Sequence, residues 1–124
     1  MSGFLFDGII HQMHGVLDVR QAQHALTSAN LANAETPGYR AKSLDFEAAL
    51  QDVFDAKDAK EAALRSPESH IEEIEPAPWA ADGNSVMPER ETARLQANAL
   101  MYSAVSRGLS RRLAMLRYAA DDGR

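Results

Sequence analysis

The chain has 124 residues, 45% hydrophobic but only 6% aromatic, with no cysteine and a formal net charge of −5 that splits into zero over residues 1–44, −9 over 45–91 and +4 over 92–124. That length holds one domain with a modest core, and a cysteine-free chain has neither disulfides nor thiolate metal sites. No apolar run approaches the ~20 residues needed to cross a bilayer, so direct membrane insertion is not expected.

The first ten residues include Phe4, Leu5, Phe6, Ile9 and Ile10, interrupted by Asp7. They lack a basic leader and a small-residue cleavage site, so a cleaved signal peptide is not expected. Over about 7–34, Ile9, Ile10, Met13, Val16, Leu17, Ala22, Ala25, Leu26, Ala29 and Ala32 recur at helical spacing and predict one long helix. Gly8 and Gly15 each cost such a helix about 1 kcal/mol relative to Ala. Arg20 and Gln21 interrupt its apolar stripe. The helix therefore depends on packing against something else.

Its end is the densest signal in the chain. Residues 28–39 read Ser-Ala-Asn-Leu-Ala-Asn-Ala-Glu-Thr-Pro-Gly-Tyr. Asn30 and Asn33 share a helix face beside small alanines. Thr36, preceding a proline, is pushed out of helical geometry. Pro37 and Gly38 supply the chemistry of a type II turn, and Tyr39 opens an extended exit. Small residues and side-chain amides before a rigid turn suit a helix that packs closely on its neighbours, so Asn30, Asn33, Thr36, Pro37, Gly38 and Tyr39 form a candidate assembly motif.

The middle, 35–85, is expected to be turn, extended segment and acidic loop. Arg40 and Lys42 precede Asp45 and Glu47, which allows local or inter-subunit ion pairs. A helical pattern spans 47–65. From 66 to 85 three prolines and four glutamates make a compact core unexpected, and Asp82-Gly83-Asn84 is a turn signal.

The last element, 88–120, is the clearest helix. Pro88 suits a first turn, and Glu89 and Glu91 favour the positive end of the dipole. Leu95, Ala99, Tyr102, Ser106, Leu109, Leu113 and Leu116 alternate by four and three, a seam of about three heptads. With Leu17 on the first helix, Leu95, Tyr102, Leu109, Leu113 and Leu116 are the expected seam residues. Arg107, Arg111, Arg112 and Arg117 lie toward the helix end, and residues 121–124 are expected to fray.

Catalytic chemistry is not legible. His11 and His14 are three apart, but no second ligand cluster follows, and a polar helix face is the simpler account. The Glu72–Glu73 pair lacks the apolar setting that raises a carboxyl pKa. No nucleophile–base arrangement, phosphate loop or dinucleotide fingerprint is present. No enzyme, cofactor or metal is expected. The arginine-bearing helix face leaves one different class of function open, a helical binding module for nucleic acid or anionic lipid. Overall acidity and the narrow apolar seam weigh against it.

The 28–40 segment resembles the signature of bacterial flagellar rod and hook proteins, a Ser-x-Asn-x-Ala-Asn stretch followed by Thr-x-Gly and an aromatic residue. Thr-Pro-Gly-Tyr at 36–39, then Asp45-Phe46, narrows the resemblance to the FlgB family of proximal rod proteins. So do Asp82-Gly83-Asn84-Ser85-Val86, Glu89-Arg90-Glu91, Asn98, Tyr102 and the leucine-rich end. The resemblance covers about 9–48 and 82–118. Met87-Pro88 stands where the family usually has an acidic pattern. Another rod subunit is the alternative within the same set.

The resemblance implies a mainly α chain, 1–124 forming one axial unit with its terminal helices in an antiparallel coiled coil. It implies a structural subunit of the basal-body rod, located in the periplasmic space after type III export. Implied partners are its own copies, other proximal-rod subunits, a membrane-ring adaptor protein and the export apparatus, with no nucleic acid. A weakly self-stable monomer fits such a route, because ordering is completed when partners cover the apolar seams.

Overall fold

The computed structural model describes residues 2–122. Two long helices, α1 (Ser2–Ala32) and α4 (Pro88–Asp122), bracket β1 (Lys42–Leu44), α2 (Phe46–Asp55), α3 (Ala59–Leu64), a 3-10 turn (Pro67–His70) and β2 (Ile71–Glu73). Asn30 lies beside Glu91, Arg20 beside Asn98 and Met13 beside Gly108. As one number falls the other rises, so α1 and α4 run antiparallel. At 1.5 Å per residue the pair is about 50 Å long. The expected architecture of long terminal helices around an irregular middle holds.

The middle folds onto the C-terminal half of α1. Val19, Leu44 and Ala49 form its buried core, with Ala22, Leu26, Phe46, Leu50, Val53 and Ile71 packed around them. This core is small and contains alanines, as the composition requires; burying Val or Leu contributes roughly 1.5–3 kcal/mol each. Gly15 is the point of closest approach. A Cβ there would lie 2.5 Å from Cγ1 of Val53. The helix-weakening glycine is thus what lets α2 seat against α1. Gly15→Ala is therefore expected to destabilise the fold by about 1–3 kcal/mol through overpacking, despite the better helix former. A lowered urea midpoint at unchanged slope is the readout.

Three expectations for the middle are corrected. The helical pattern over 47–65 is two helices. Asp45 caps α2 by accepting from Ala48 N–H at 3.0 Å, and Asp58 caps α3 by accepting from Glu61 N–H at 2.8 Å. That second cap starts a new helix, so the chain breaks between them. Glu61 also accepts from Lys57 N–H at 3.0 Å. This bond, more than neighbouring Arg65, holds its carboxyl below the usual glutamate range. Next, 66–85 is not plain loop. Ile71–Glu73 pairs antiparallel with β1 in the register Lys42↔Glu73, Ser43↔Glu72 and Leu44↔Ile71. Finally, Arg40 pairs with Glu75 at 2.8 Å and not with Asp45 or Glu47. Opposite charges facing across the ladder let an acidic segment join the sheet.

The helix α4 begins at Pro88, as its missing N–H permits. It stays helical through Asp122; of the tail expected to fray, Gly123 and Arg124 lie outside the described residues.

Candidate assembly site

The junction where α1 ends and α4 begins is built on Asn30, which is 1% exposed. Its Nδ2 donates to Lys42 O at 2.8 Å and to Glu91 Oε2 at 3.1 Å. Its Oδ1 accepts from Lys42 N–H at 2.9 Å and from the Tyr39 hydroxyl at 3.4 Å. One amide thus ties α1 to β1, to the turn and to α4. All its polar atoms are used within the subunit, which makes it a structural tie and not a ligand-binding group.

Glu91, also 1% exposed, is the other half of this tie. Its second oxygen accepts from Arg94 Nη1 at 3.1 Å. A buried carboxylate without such partners would be strongly unfavourable. Seven residues on, Asn98 sits on the same face of α4. It donates to Arg20 O at 2.8 Å and accepts from Arg20 Nη1 at 3.2 Å. The Arg20 guanidinium lies 4.3 Å from the centroid of the Phe46 ring, a cation–π contact joining α1 to α2. Burial lowers the arginine's pKa from its ordinary value.

The turn follows the residues. Tyr39 N–H donates to Thr36 O at 3.2 Å, and Gly38 has φ +73°, the sign a type II turn needs at its third position. Nothing surrounds the place where a Gly38 Cβ would sit. Gly38→Ala should therefore cost only backbone strain, about 1–2 kcal/mol, seen as a small fall in the urea midpoint. Asn33 Nδ2 donates to Ala29 O at 2.9 Å, and its Oδ1 accepts from Thr36 Oγ1 at 3.2 Å. From the far side, Asn84 Nδ2 lies within 2.8–3.1 Å of the carbonyl oxygens of Asn33, Ala34 and Thr36. Gly38 N–H donates to Asp82 O at 2.7 Å, Ser85 N–H to Tyr39 O at 3.1 Å, and Ala41 N–H to Ser85 Oγ at 2.7 Å. Residues 82–85 thereby strap the turn down, and Thr36, Pro37 and Gly38 stay exposed at its tip.

The expected helix seam divides by exposure. Leu109 is 7% exposed, and Leu17, Leu95 and Leu116 are half-buried. Tyr102 at 40% and Leu113 at 46% exposure lie at the margin of the helix contact. The buried row of α4 is Glu91, Asn98 and Leu109; Leu109 belongs to the expected seam, and Asn30 and Arg20 draw the two polar residues inward beside it. Spacings of seven and eleven keep that row on one face. In the sequence, Asn84, Glu91 and Asn98 stand as carriers of the resemblance and not as parts of this junction. A further signal is the heptad spacing of Glu91 and Asn98, polar residues of the type that fix helix register.

No family model matches the chain. Three curated relatives, each a flagellar basal body rod protein FlgB, match over most of their length. That of Escherichia coli K12 is 29% identical over 119 residues, 84% of this chain and 86% of the relative. That of Yersinia ruckeri is 30% identical over 77% of this chain and 81% of the relative. That of Cereibacter sphaeroides is 30% identical over 123 residues, 94% of each chain. The chain belongs to the FlgB family of flagellar basal body rod proteins. It is accordingly a rod protein of the basal body. In this FlgB-family chain the junction joins the two segments that suggested the resemblance, 28–40 and 82–98. Across it Asn30 meets Glu91, and Asn84 meets the carbonyl oxygens of Asn33, Ala34 and Thr36. No helix among the described residues is long and apolar enough to cross a membrane.

Proposed function

We propose that residues 1–124 act as one non-enzymatic axial unit in the proximal rod, joining its own copies, other proximal-rod subunits and a membrane-ring adaptor after type III export. The observation that carries this reading is the uncovered apolar surface of α4. Leu100 is 68% exposed, Met101 51%, Met115 71% and Tyr118 70%. Large apolar side chains left open on a helix suit an assembly in which neighbours cover them. In this reading Asn30, Asn33 and Tyr39 position the exposed turn 36–38 as a contact between subunits.

The test is a strain lacking this chain, complemented with the wild-type sequence. The strain is expected to be non-motile with rods missing from its basal bodies, and the complementing chain to purify with intact basal bodies. A motile deletion strain, or basal bodies free of the chain, would overturn the assignment.

A further inference from the structure

The side of α1 turned away from α4 forms, with α2, α3 and the 3-10 turn, an open groove of about 590 Å³. Ala22 and Ala63 give it small walls, and its polar lining includes His11, His14, Asp18, Asp52 and Glu68, of which Asp52 already holds His70 at 2.7 Å. Its arginine, Arg65, is held by Glu61 at 2.6 Å and by Asp52 at 3.5 Å. Asp18 and Glu68 are exposed and pair with no cation among the described residues.

The outer face of α4 is its complement. Residues 92–120 contain five arginines and no acid. Arg107 and Arg111, one turn apart, are exposed between Leu100 and the pair Met115 and Tyr118. Neither pairs with a carboxylate among the described residues; Arg107 Nε donates only to Ser103 O, at 3.3 Å. Arginine, methionine and tyrosine together, without acids, are the composition of interface centres.

A chain cannot satisfy itself here. Its own α4 is held on α1 through Met13, Arg20 and Asn30, and the arginine face points away from that contact. The geometry points to a second copy as the occupant: the face of α4 bearing Arg107, Arg111, Met115 and Tyr118 docks in the acidic groove of a neighbouring subunit. Small groove walls admit the long side chains, and the carboxylates select the basic face and fix its orientation. Because groove and face are different patches, the contact is head-to-tail, which builds a ring or a helical filament and not a two-fold dimer. This inference rests on the rod-subunit reading and specifies how its copies meet.

The native chain has no cysteine, so introduced pairs report without background. Two single-cysteine chains, Ala63→Cys in the groove wall and Ala114→Cys beside Arg111, are co-expressed, and isolated basal bodies are oxidised. A mixed disulfide joining the two variants is expected, in excess of either self-pairing. Adding Arg107→Glu and Arg111→Glu to the Ala114→Cys chain should lower its yield severalfold, with helix content by circular dichroism unchanged because both side chains are exposed. Basal bodies that contain both chains but give no mixed disulfide overturn the docking, as does a yield insensitive to charge reversal. Basal bodies lacking the chains altogether overturn the rod-subunit reading instead.

Discussion

Replacing Asn30 by Ala is expected to remove about 3 kcal/mol of stability, although it deletes only one small polar side chain. The loss is in what the amide leaves behind. One oxygen of the buried Glu91 carboxylate loses its donor, at about 1–3 kcal/mol for an orphaned buried group, and the partly buried Lys42 N–H loses its acceptor. Hydrogen exchange should show the effect locally, with protection lost at β1, the 36–39 turn and the start of α4. Retention of protection there would mean that the junction is held by something other than Asn30. Asn30→Asp is the sharper variant. It sets a second carboxylate where the amide now stands 3.1 Å from Glu91 Oε2, so one of the two acids has its folded pKa raised. A raised pKa means that the folded state holds a proton the unfolded state has released, so stability falls as pH rises through that range. The Asn30→Asp defect should therefore be largest near neutral pH and shrink on acidification, more steeply than the Asn30→Ala defect, which takes a donor from Glu91 without adding a second carboxylate.

The two variants also mark where sequence reading stops. The long helices were legible because Leu, Ala and Met recur at helical spacing over many turns, and the turn because Pro37-Gly38 permits few backbone geometries. The strand Ile71–Glu73 was not. Three residues with two adjacent acids carry no period, and their pairing depends on Lys42 and Arg40 some thirty residues away in sequence. Glu91 read as an acid at a helix start, which it also is; its burial follows only from Asn30 arriving opposite. Gly15 read as a defect until Val53 filled the space a side chain would need. In each case the missing information was a partner distant in sequence, which neither propensity nor local spacing encodes. The same is true of the seam. Of the row Leu95, Tyr102, Leu109, Leu113 and Leu116, α4 keeps Leu109 inside but turns Tyr102 and Leu113 to the margin, because the hydrogen bonds of Glu91 and Asn98 are available only on their face.

That rotation separates two substitutions which the heptad pattern treats alike. Leu109→Asp places a charge at a position 7% exposed. Losing the leucine contact alone costs about 2–5 kcal/mol, and the unpaired buried carboxylate adds to it. The outer halves of α1 and α4 should come apart, with exchange protection lost around Met13 and Gly108 but retained at β1, and motility abolished. Leu113 is 46% exposed, so Leu113→Asp loses only part of that contact and leaves its charge in water; on the isolated chain the cost should be about 1 kcal/mol. Its effect on motility then reports on neighbours, not on folding. If Leu113→Asp leaves helix protection near wild type yet abolishes motility, the half of Leu113 open to solvent in one subunit is covered by another in the rod. If motility survives, the Tyr102–Leu113 margin stays in water after assembly, and the contacts between copies lie on the arginine-bearing face and at the turn.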